Sequence, residues 1–580
     1  MPPHDSDEEL ANEFGEFFID KIEKIHSELA SQQPDKCVPD NSESVEIESV
    51  LSEFSPVSED DVKCMIHKSS LKSCELDPVP SWIIRQIEDE LIPVICSIIN
   101  LSFEESTMPD EYKLALLCPR IKKLGLSLIL NSYRPVSNLQ FVSKLIERSV
   151  VSQIVGHMKG HHLFEKLQSA YLEGRSVETA LLRVQNDILT AMDKQLVTAV
   201  LFLDLSAAFD TVNHQVLLQR LEHTCGITGG ALAWIDSYLS QRKQVVKVND
   251  SRSKVYDLHC GVPQGSVLGP VLFIIYILPL GDIVRKHGLQ YHMFADDNQT
   301  YLSFKASDME QSLRKMNDCV RDIQEWLRAN SLKCNGTKTD LLMCGTRQQL
   351  LKLEDPSIDM GSCTVYPSKQ VRNLGVIFDE HMSLKSHVGG ISKAAYFQLF
   401  NINRKRSSLT EEAARTCIHA FVTSKIDCCN SLLYGLPKRH STNILQRVQN
   451  AAARTLLGIK KNSRKHMSPV LRDLHWLPVM RRIEYKILLV TYKALHGVGP
   501  DYIRDLLVPY KSADCLRSAK DKHLLKEPIR KLKTGGLRAY SNVAPALWNK
   551  LPLHLRCAKS VEAFKSGLKT YFFDIDKPKK

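Results

Sequence analysis

The stretch VTAVLFLDL, residues 197–205, constrains this chain more than any other. It is a continuous apolar, β-branched run that ends in a carboxylate, Asp204. A short run with no polar face fits a strand buried on both sides. On its own a strand-end Asp is an ordinary cap or turn residue. Two further features follow it in order. GVPQGSVLGP (261–270) is a Gly/Pro-rich loop, and YHMFADDNQTYL (291–302) reads as two strand-like runs around Asp296-Asp297-Asn298, a hairpin signal. Three carboxylates brought to one sheet edge would repel one another unless cations held them. Two Mg²⁺ ions bound by such acids suit in-line phosphoryl transfer. One lowers the pKa of an attacking hydroxyl, and the other neutralises charge on leaving pyrophosphate.

The flanking sequence predicts a mixed α/β body and a helical tail. A helical piece is expected over Glu13–Leu29, a helix start at Ser58-Glu59-Asp60-Asp61, and a second helix over Ile83–Leu101. Lys113–Tyr133 reads as strand, basic loop and turn, and a helix is expected from Val177 to Met192. Met309, Leu313, Met316, Val320, Ile323 and Leu327 mark one face of an amphipathic helix. Strands are expected near Asp340–Cys344 and Asn373–Phe378, and helices dominate beyond residue 385.

Charge is distributed unevenly. Residues 1–60 carry 3 Lys/Arg against 17 Asp/Glu, whereas residues 401–580 carry 36 against 13, a net +23. A basic final third points to a polyanion partner, most simply nucleic acid. The 16 Cys include no Cys-x-x-Cys spacing, which argues for reduced thiols in an intracellular protein rather than zinc knuckles. The first twenty residues are acidic, unlike a signal peptide. Pro and Gly interrupt the most apolar stretch, Val267–Val284, so no membrane span or membrane partner is expected.

LFLDLSAAFDTVNH (201–214), GVPQGSVLGPVLF (261–273), FADD (294–297), WLRANSLKCNGTKTDLLMCG (326–345) and VRNLGVIFD (371–379) resemble, in order and spacing, reverse transcriptase motifs A to E. The chain is similar to non-LTR, LINE-type retrotransposon proteins of the jockey and chicken-repeat kind, from about residue 55 to 575. CELDPVPSWI (74–83), NSYRPVSNLQFVSKLIER (131–148), QSAYLEGRSVETALLRV (168–184) and LHWLPVMRRIEYKILLVTYKALHG (474–497) extend the likeness.

The resemblance implies a right-hand polymerase of α/β (α+β) class: fingers and a palm with an antiparallel sheet, a helical thumb and a helical basic C-terminal region. The expected domains are an acidic, partly disordered lead over 1–54, an N-terminal extension and fingers over 55–165, and fingers/palm with motifs A–E over 166–380. A thumb over 381–460 and a nucleic-acid-binding region over 461–580 follow. Asp204, Asp296 and Asp297 match the metal-binding catalytic aspartates, for two Mg²⁺ ions with Mn²⁺ as a substitute. Phe209 matches the bulky residue under the nucleotide sugar, where a ring would reject a 2′-hydroxyl. Gln264 and Gly265 match the nucleotide-contacting loop, and Arg134 and Arg175 are candidates for the triphosphate. Lys338 matches the motif D lysine, a candidate general acid for pyrophosphate. Leu374 and Gly375 match the primer grip.

Two departures stand out. Leu172 replaces the arginine that often follows the Tyr of QSAY, and Asn298 follows FADD where Thr or Asp is usual. No endonuclease pattern precedes the polymerase motifs, so the chain reads as the back half of such an element's second reading frame, with any nick supplied from elsewhere. The expected partners are an RNA template, a DNA primer or target, and deoxynucleoside triphosphates, in an intracellular ribonucleoprotein of nucleus and/or cytoplasm. Trp476 and Trp548 are either base-stacking platforms or, by their apolar context, core. The expected activity is RNA-directed DNA polymerisation. An RNA-dependent RNA polymerase is opposed by Phe209 and the motif order. A catalytically idle nucleic-acid-binding remnant is the alternative of a different class, with phosphate-ester hydrolysis a weaker third.

Overall fold

The computed structural model describes residues 1–31, 49–70, 72–123, 125–460, 463–510, 523–533 and 535–576. The chain forms two compact units. One comprises residues 1–165, 204–286 and 319–335, the other residues 166–203, 287–318 and 336–580. Strands are numbered along the chain.

In the first unit, β1 (Leu114–Ile121) is flanked by β2 (Tyr133–Asn138), antiparallel, and by β5 (Arg242–Val248), parallel. β6 (Ser251–Arg252) and β7 (Tyr256–Leu258) both pair antiparallel with β5. β4 (Leu205–Ser206) pairs with β10 (Lys333–Cys334) in a separate two-stranded ribbon.

The acidic lead contributes to this unit. Its helix runs Asp7–Ala30, six residues earlier than the periodicity suggested, because Ser6 caps it and Asp7, Glu8 and Glu9 fill its first turn. Leu10, Ala11, Phe14 and Phe18 pack on Leu117, Tyr133, Val246 and Val248 of the sheet. Contact is close enough that a Cβ at Gly15 would lie 2.2 Å from the Tyr256 ring. The part of the lead expected to lack structure falls largely on residues 32–48, outside the described residues.

Ser58 starts the next helix, Glu59–Lys68, with a reciprocal capping box to Asp61. The expected second helix is two, Ser81–Gln86 and Glu88–Glu104. Ile87 leaves helical geometry, and three acids, Glu88, Asp89 and Glu90, open a new N-terminus.

The second unit is built on a four-stranded antiparallel sheet in the order β11 (Asp340–Cys344), β3 (Val197–Leu203), β9 (Asp297–Phe304), β8 (Gln290–Phe294). β3 is an inner strand, which is why its residues other than Thr198 are apolar. β12 (Ile358–Asp359) with β13 (Thr364–Val365), and β14 (Gln370–Asn373) with β15 (Val376–Asp379), form hairpins beside it.

One core joins Val200, Tyr301 and Leu342 of the sheet to the Val177–Asp193 helix and to the helices beyond residue 385. Hydrogen bonds reinforce the junction. Gln185 donates to the Leu432 carbonyl at 3.1 Å, and Asp193 accepts from the amides of Lys531 and Leu532. Trp476 and Trp548 are buried in this core, with the Trp548 indole donating to the His523 carbonyl at 2.8 Å. Among the described residues no helix is long and apolar enough to cross a membrane.

Phe14 is fully buried and meets Tyr133 edge-on at 5.2 Å. Phe14→Ala is expected to destabilise the first unit by roughly 3–5 kcal/mol, read as a fall in urea midpoint. An unchanged midpoint would show that the acidic helix is not part of the fold.

Candidate active site

The register of β3 and β9 places the acids. Leu203 lies opposite Asn298, and Phe294 of β8 lies opposite Asp297. Ala295 and Asp296 are therefore the two-residue turn at one end of the sheet, and the chain leaves β3 into Asp204 at that same end. β11 opens with Asp340 opposite Phe202, so Lys338, exposed in the turn Gly336–Lys338, also stands at this end. Asp204 and Asp296 are half-buried, and Asp297 is exposed.

Such a tight connection requires left-handed backbone. Ala295 supplies it at φ 55°, a conformation that costs a residue with a Cβ about 1–2 kcal/mol. The turn is braced where it is strained. The Ala295 amide donates to Gln168 Oε1 at 3.0 Å, and Asn298 Nδ2 reaches the Asp296 carbonyl at 3.4 Å. Tyr171, at φ 58° and half in contact with the protein, has its hydroxyl pKa raised by that partial burial and by the charges of Asp296 and Asp297. Leu172, at the position of the absent arginine, is a core residue.

A second group lies within the first unit. The Phe209 ring stacks on Phe273 at 4.4 Å, and the Phe209 carbonyl accepts from the Val262 amide at 2.8 Å. The loop after Val262 approaches β2 closely. Ser137 N donates to the Gln264 carbonyl at 2.8 Å, and a Cβ at Gly265, whose φ is 128°, would sit 2.3 Å from the Ser137 carbonyl oxygen. Only glycine fits there. Glu147, fully buried, accepts from the amides of Val267 and Leu268 and holds the far end of the loop. Gln264 Nε2 donates to Asp210 Oδ1 at 2.8 Å. Burial pushes the Asp210 carboxyl up to about 6.

Arg134 is exposed on β2, directly opposite Arg120 of β1, beside Lys122 and Lys123. Arg175 is differently placed. Its guanidinium donates to the carbonyls of Lys166 and Gln168 and lies 5.7 Å from the Tyr502 ring centre. Leu374 and Gly375 form the β14–β15 turn, both with positive φ. Asn373 Nδ2 ties that hairpin to β9 through Gln299 Oε1 at 2.7 Å.

Asp296 and Asp297, at the β8–β9 turn, are oxygen donors of the kind Mg²⁺ prefers, as is Asp204, the residue that follows β3. Among the described residues no group of three or more His, Cys, Asp or Glu is so placed that it could hold a metal ion. What the register settles is the backbone end from which the carboxylates extend.

The basic clusters divide into two kinds. Arg406 donates to the carbonyl of Leu456, Arg481 pairs with Glu484 and Asp576, and Arg482 pairs with Asp427. These bind the tail to itself. Arg404, Lys405, Lys460, Arg464 and Lys465 are exposed, while residues 461–462 lie outside the described residues. The Lys385–Arg404 helix also exposes Tyr396, Phe397 and Phe400, with the Arg404 guanidinium 5.9 Å from the Phe400 ring centre. Helical spacing of aromatics normally signals core, so sequence did not mark this face. Asp210 and Gln168 lie inside recognised motifs, yet only their hydrogen bonds reveal what they hold.

Residues 121–378 match the reverse transcriptase (RNA-dependent DNA polymerase) family model. That segment is thus similar to reverse transcriptase domains, and relatives of the chain carry the names of transposon and mobile-element polymerases. It is 26% identical over 398 residues to a protein named probable RNA-directed DNA polymerase from transposon BS of Drosophila melanogaster, covering 66% of this chain and 43% of that one. It is 25% identical over 438 residues to the probable RNA-directed DNA polymerase from transposon X-element of the same fly, covering 74% and 47%. It is 24% identical over 355 residues to the RNA-directed DNA polymerase from mobile element jockey of Drosophila funebris, covering 60% and 38%. The chain therefore spans less than half the length of these relatives.

Asp210 makes stability depend on pH. Its raised folded-state pKa means that its contribution is full below about pH 4 and lost as pH rises through about 6. Asp210→Asn removes the charged form. Urea midpoints of parent and variant should coincide near pH 4 and separate in favour of the variant by up to about 3 kcal/mol at pH 8. Equal pH profiles would contradict a buried carboxyl.

Proposed function

We propose that this chain copies RNA into DNA by two-metal nucleotidyl transfer. The observation that carries the reading is the β3–β9–β8 register, which attaches three motif-matched carboxylates to one sheet end. On this reading the β8–β9–β3–β11 sheet is the palm, and β1 and β2 with the N-terminal helices are fingers. Residues 381–460 are the thumb, and 461–580 a basic region for nucleic acid. The primer 3′-hydroxyl attacks the α-phosphate of a deoxynucleoside triphosphate, forming the new ester bond as the bond to pyrophosphate breaks.

Asp204, Asp296 and Asp297 would hold two Mg²⁺ ions, whose charge lowers the hydroxyl pKa and offsets that of pyrophosphate. Phe209, fixed by its stack on Phe273, lies under the sugar and leaves no room for a 2′-hydroxyl. Gln264, with its amide oriented by Asp210, and Gly265 line the nucleotide. Arg134 with Arg120 and Lys122 offers charge to the triphosphate, and Lys338 hands a proton to pyrophosphate. Arg175, which braces the chain around Gln168, is the second candidate for the triphosphate. Leu374 and Gly375, tied to the sheet through Asn373, grip the primer end. The exposed Arg404, Lys405, Arg464 and Lys465 supply phosphate contacts, in a ribonucleoprotein working in nucleus and/or cytoplasm.

Primer extension on poly(rA)/oligo(dT) with Mg²⁺ and dTTP tests the reading. The parent should extend the primer, and Asp296→Ala/Asp297→Ala should lose at least about 10³-fold in rate. A folded parent that binds the duplex and never extends it would instead favour an idle binding remnant. Phe209→Ala should admit ribonucleotides at least about tenfold more readily relative to deoxynucleotides. Unchanged discrimination would remove Phe209 from the sugar pocket.

A further inference from the structure

Tyr502 lies in the short helix Asp501–Arg504, far along the chain from every polymerase motif, yet its ring is almost fully buried. Its hydroxyl is 2.7 Å from Ser169 Oγ and 2.8 Å from Thr179 Oγ1. Ser169 Oγ is in turn 2.8 Å from His292 Nε2, and the His292 ring meets Tyr502 edge-on at 4.8 Å.

The directions of these bonds follow from proton counting. Thr179 spends its proton on the Ser176 carbonyl at 2.9 Å, so it accepts from Tyr502. Tyr502 then accepts from Ser169, and Ser169 from His292 Nε2–H. That assignment requires a proton on His292 Nε2. Burial, with the nearby charges of Arg183 and Arg175, pushes the His292 pKa down to about 3 and keeps the ring neutral.

The network ends at the acidic turn. Leu167 and Ser169 dock on β8 through two backbone bonds, Met293 N to the Leu167 carbonyl and Ser169 N to the Met293 carbonyl, each 2.9 Å. Between them Gln168 uses Oε1 to accept from Ala295 N at 3.0 Å and Ala170 N at 2.9 Å. Ala295 is the strained residue immediately before Asp296. A shift in the 167–169 segment therefore moves the side-chain bond that holds the Ala295 amide of this turn. Two other contacts press the tail on residues 174–175, just beyond this segment. The Arg175 guanidinium lies over Tyr502, and a Cβ at Gly174 would come within 3.1 Å of the Val498 carbonyl oxygen.

We propose that Tyr502 is a positioning residue through which the C-terminal region sets the turn carrying Asp296 and Asp297. The hydroxyl of Tyr502 fixes Ser169, Ser169 and its neighbours fix Gln168, and Gln168 fixes Ala295. The tail then tunes how the carboxylates present themselves to metal, in addition to any grip on nucleic acid. This inference rests on the polymerase reading only for its kinetic consequence.

The test uses the full chain with Tyr502→Phe, which keeps the ring and removes the hydroxyl. Tyr540→Phe is the control. Its hydroxyl makes an equally buried bond to Thr491 at 2.9 Å without connection to the turn. Hydrogen exchange followed by mass spectrometry should show faster exchange over residues 293–298 in Tyr502→Phe and parental exchange there in Tyr540→Phe. In primer extension Tyr502→Phe should lower kcat about 5- to 30-fold and raise the Mg²⁺ concentration for half-activity several-fold. KM for dTTP and affinity for the duplex should remain within twofold of the parent.

Parental exchange over 293–298 in Tyr502→Phe would overturn the inference, as would equal effects of the two variants there. Parental Mg²⁺ dependence in an active Tyr502→Phe would overturn it too. A parent with no extension activity would defeat the polymerase reading instead, and the exchange experiment would still decide the coupling.

Discussion

The antiparallel pairing of β3 with β9 is the constraint on which the rest of the structure depends. A strand with apolar residues on both faces must be covered on both, and β3 is an inner strand of its sheet. Once Leu203 stands opposite Asn298, the exit of β3 and the β8–β9 turn share one end. A slip of one residue would turn every side chain of β9 to the other face and move the acids out of step. Buried polar residues of β9 resist that slip. Gln299 accepts from Asn373, and the Tyr301 hydroxyl donates to Asp187 at 2.7 Å.

The segments outside the recognised motifs support the working parts. The acidic lead covers an apolar sheet face with Phe14 and Phe18, so its charge lies on the surface of a packed helix. The basic tail shares one core with the acid-bearing sheet. Several of its arginines serve as ties between helices, where a charged fork matches carbonyl and carboxylate oxygens. Net charge therefore overstates the surface left for a polyanion, and the exposed face of the Lys385–Arg404 helix adds aromatic area that charge counting does not register.

Local signals were legible where they are local in cause. The buried strand, the helix start at Ser58, the acidic hairpin and the strand at 340–344 follow from periodicity, capping and turn chemistry. The single strand expected near Asn373–Phe378 is instead a hairpin, because Leu374 and Gly375 take positive φ and turn the chain between Asn373 and Val376. The break at Ile87 was not legible, because apolar periodicity continues across it while the acids at 88–90 restart the helix. Gly265 shows a motif position with a visible local reason, since only glycine clears the Ser137 carbonyl oxygen. Arg175 and Leu172 show what a motif leaves open. A motif position does not reveal whether a guanidinium is spent on nearby carbonyls or whether an aliphatic side chain has joined the core.

The sequence by itself determined the chemistry on offer: which carboxylates, which ring, which glycine, and the order in which they occur. That information is carried by residue type and spacing, which need no partner from elsewhere in the chain. Only the tertiary structure decided what holds them. The Asp210–Gln264 bond, the Gln168 brace on Ala295 and the reach of Tyr502 to Ser169 join residues separated by 54, 127 and 333 positions. Contacts at such separations arise from packing of whole elements, which no local pattern encodes.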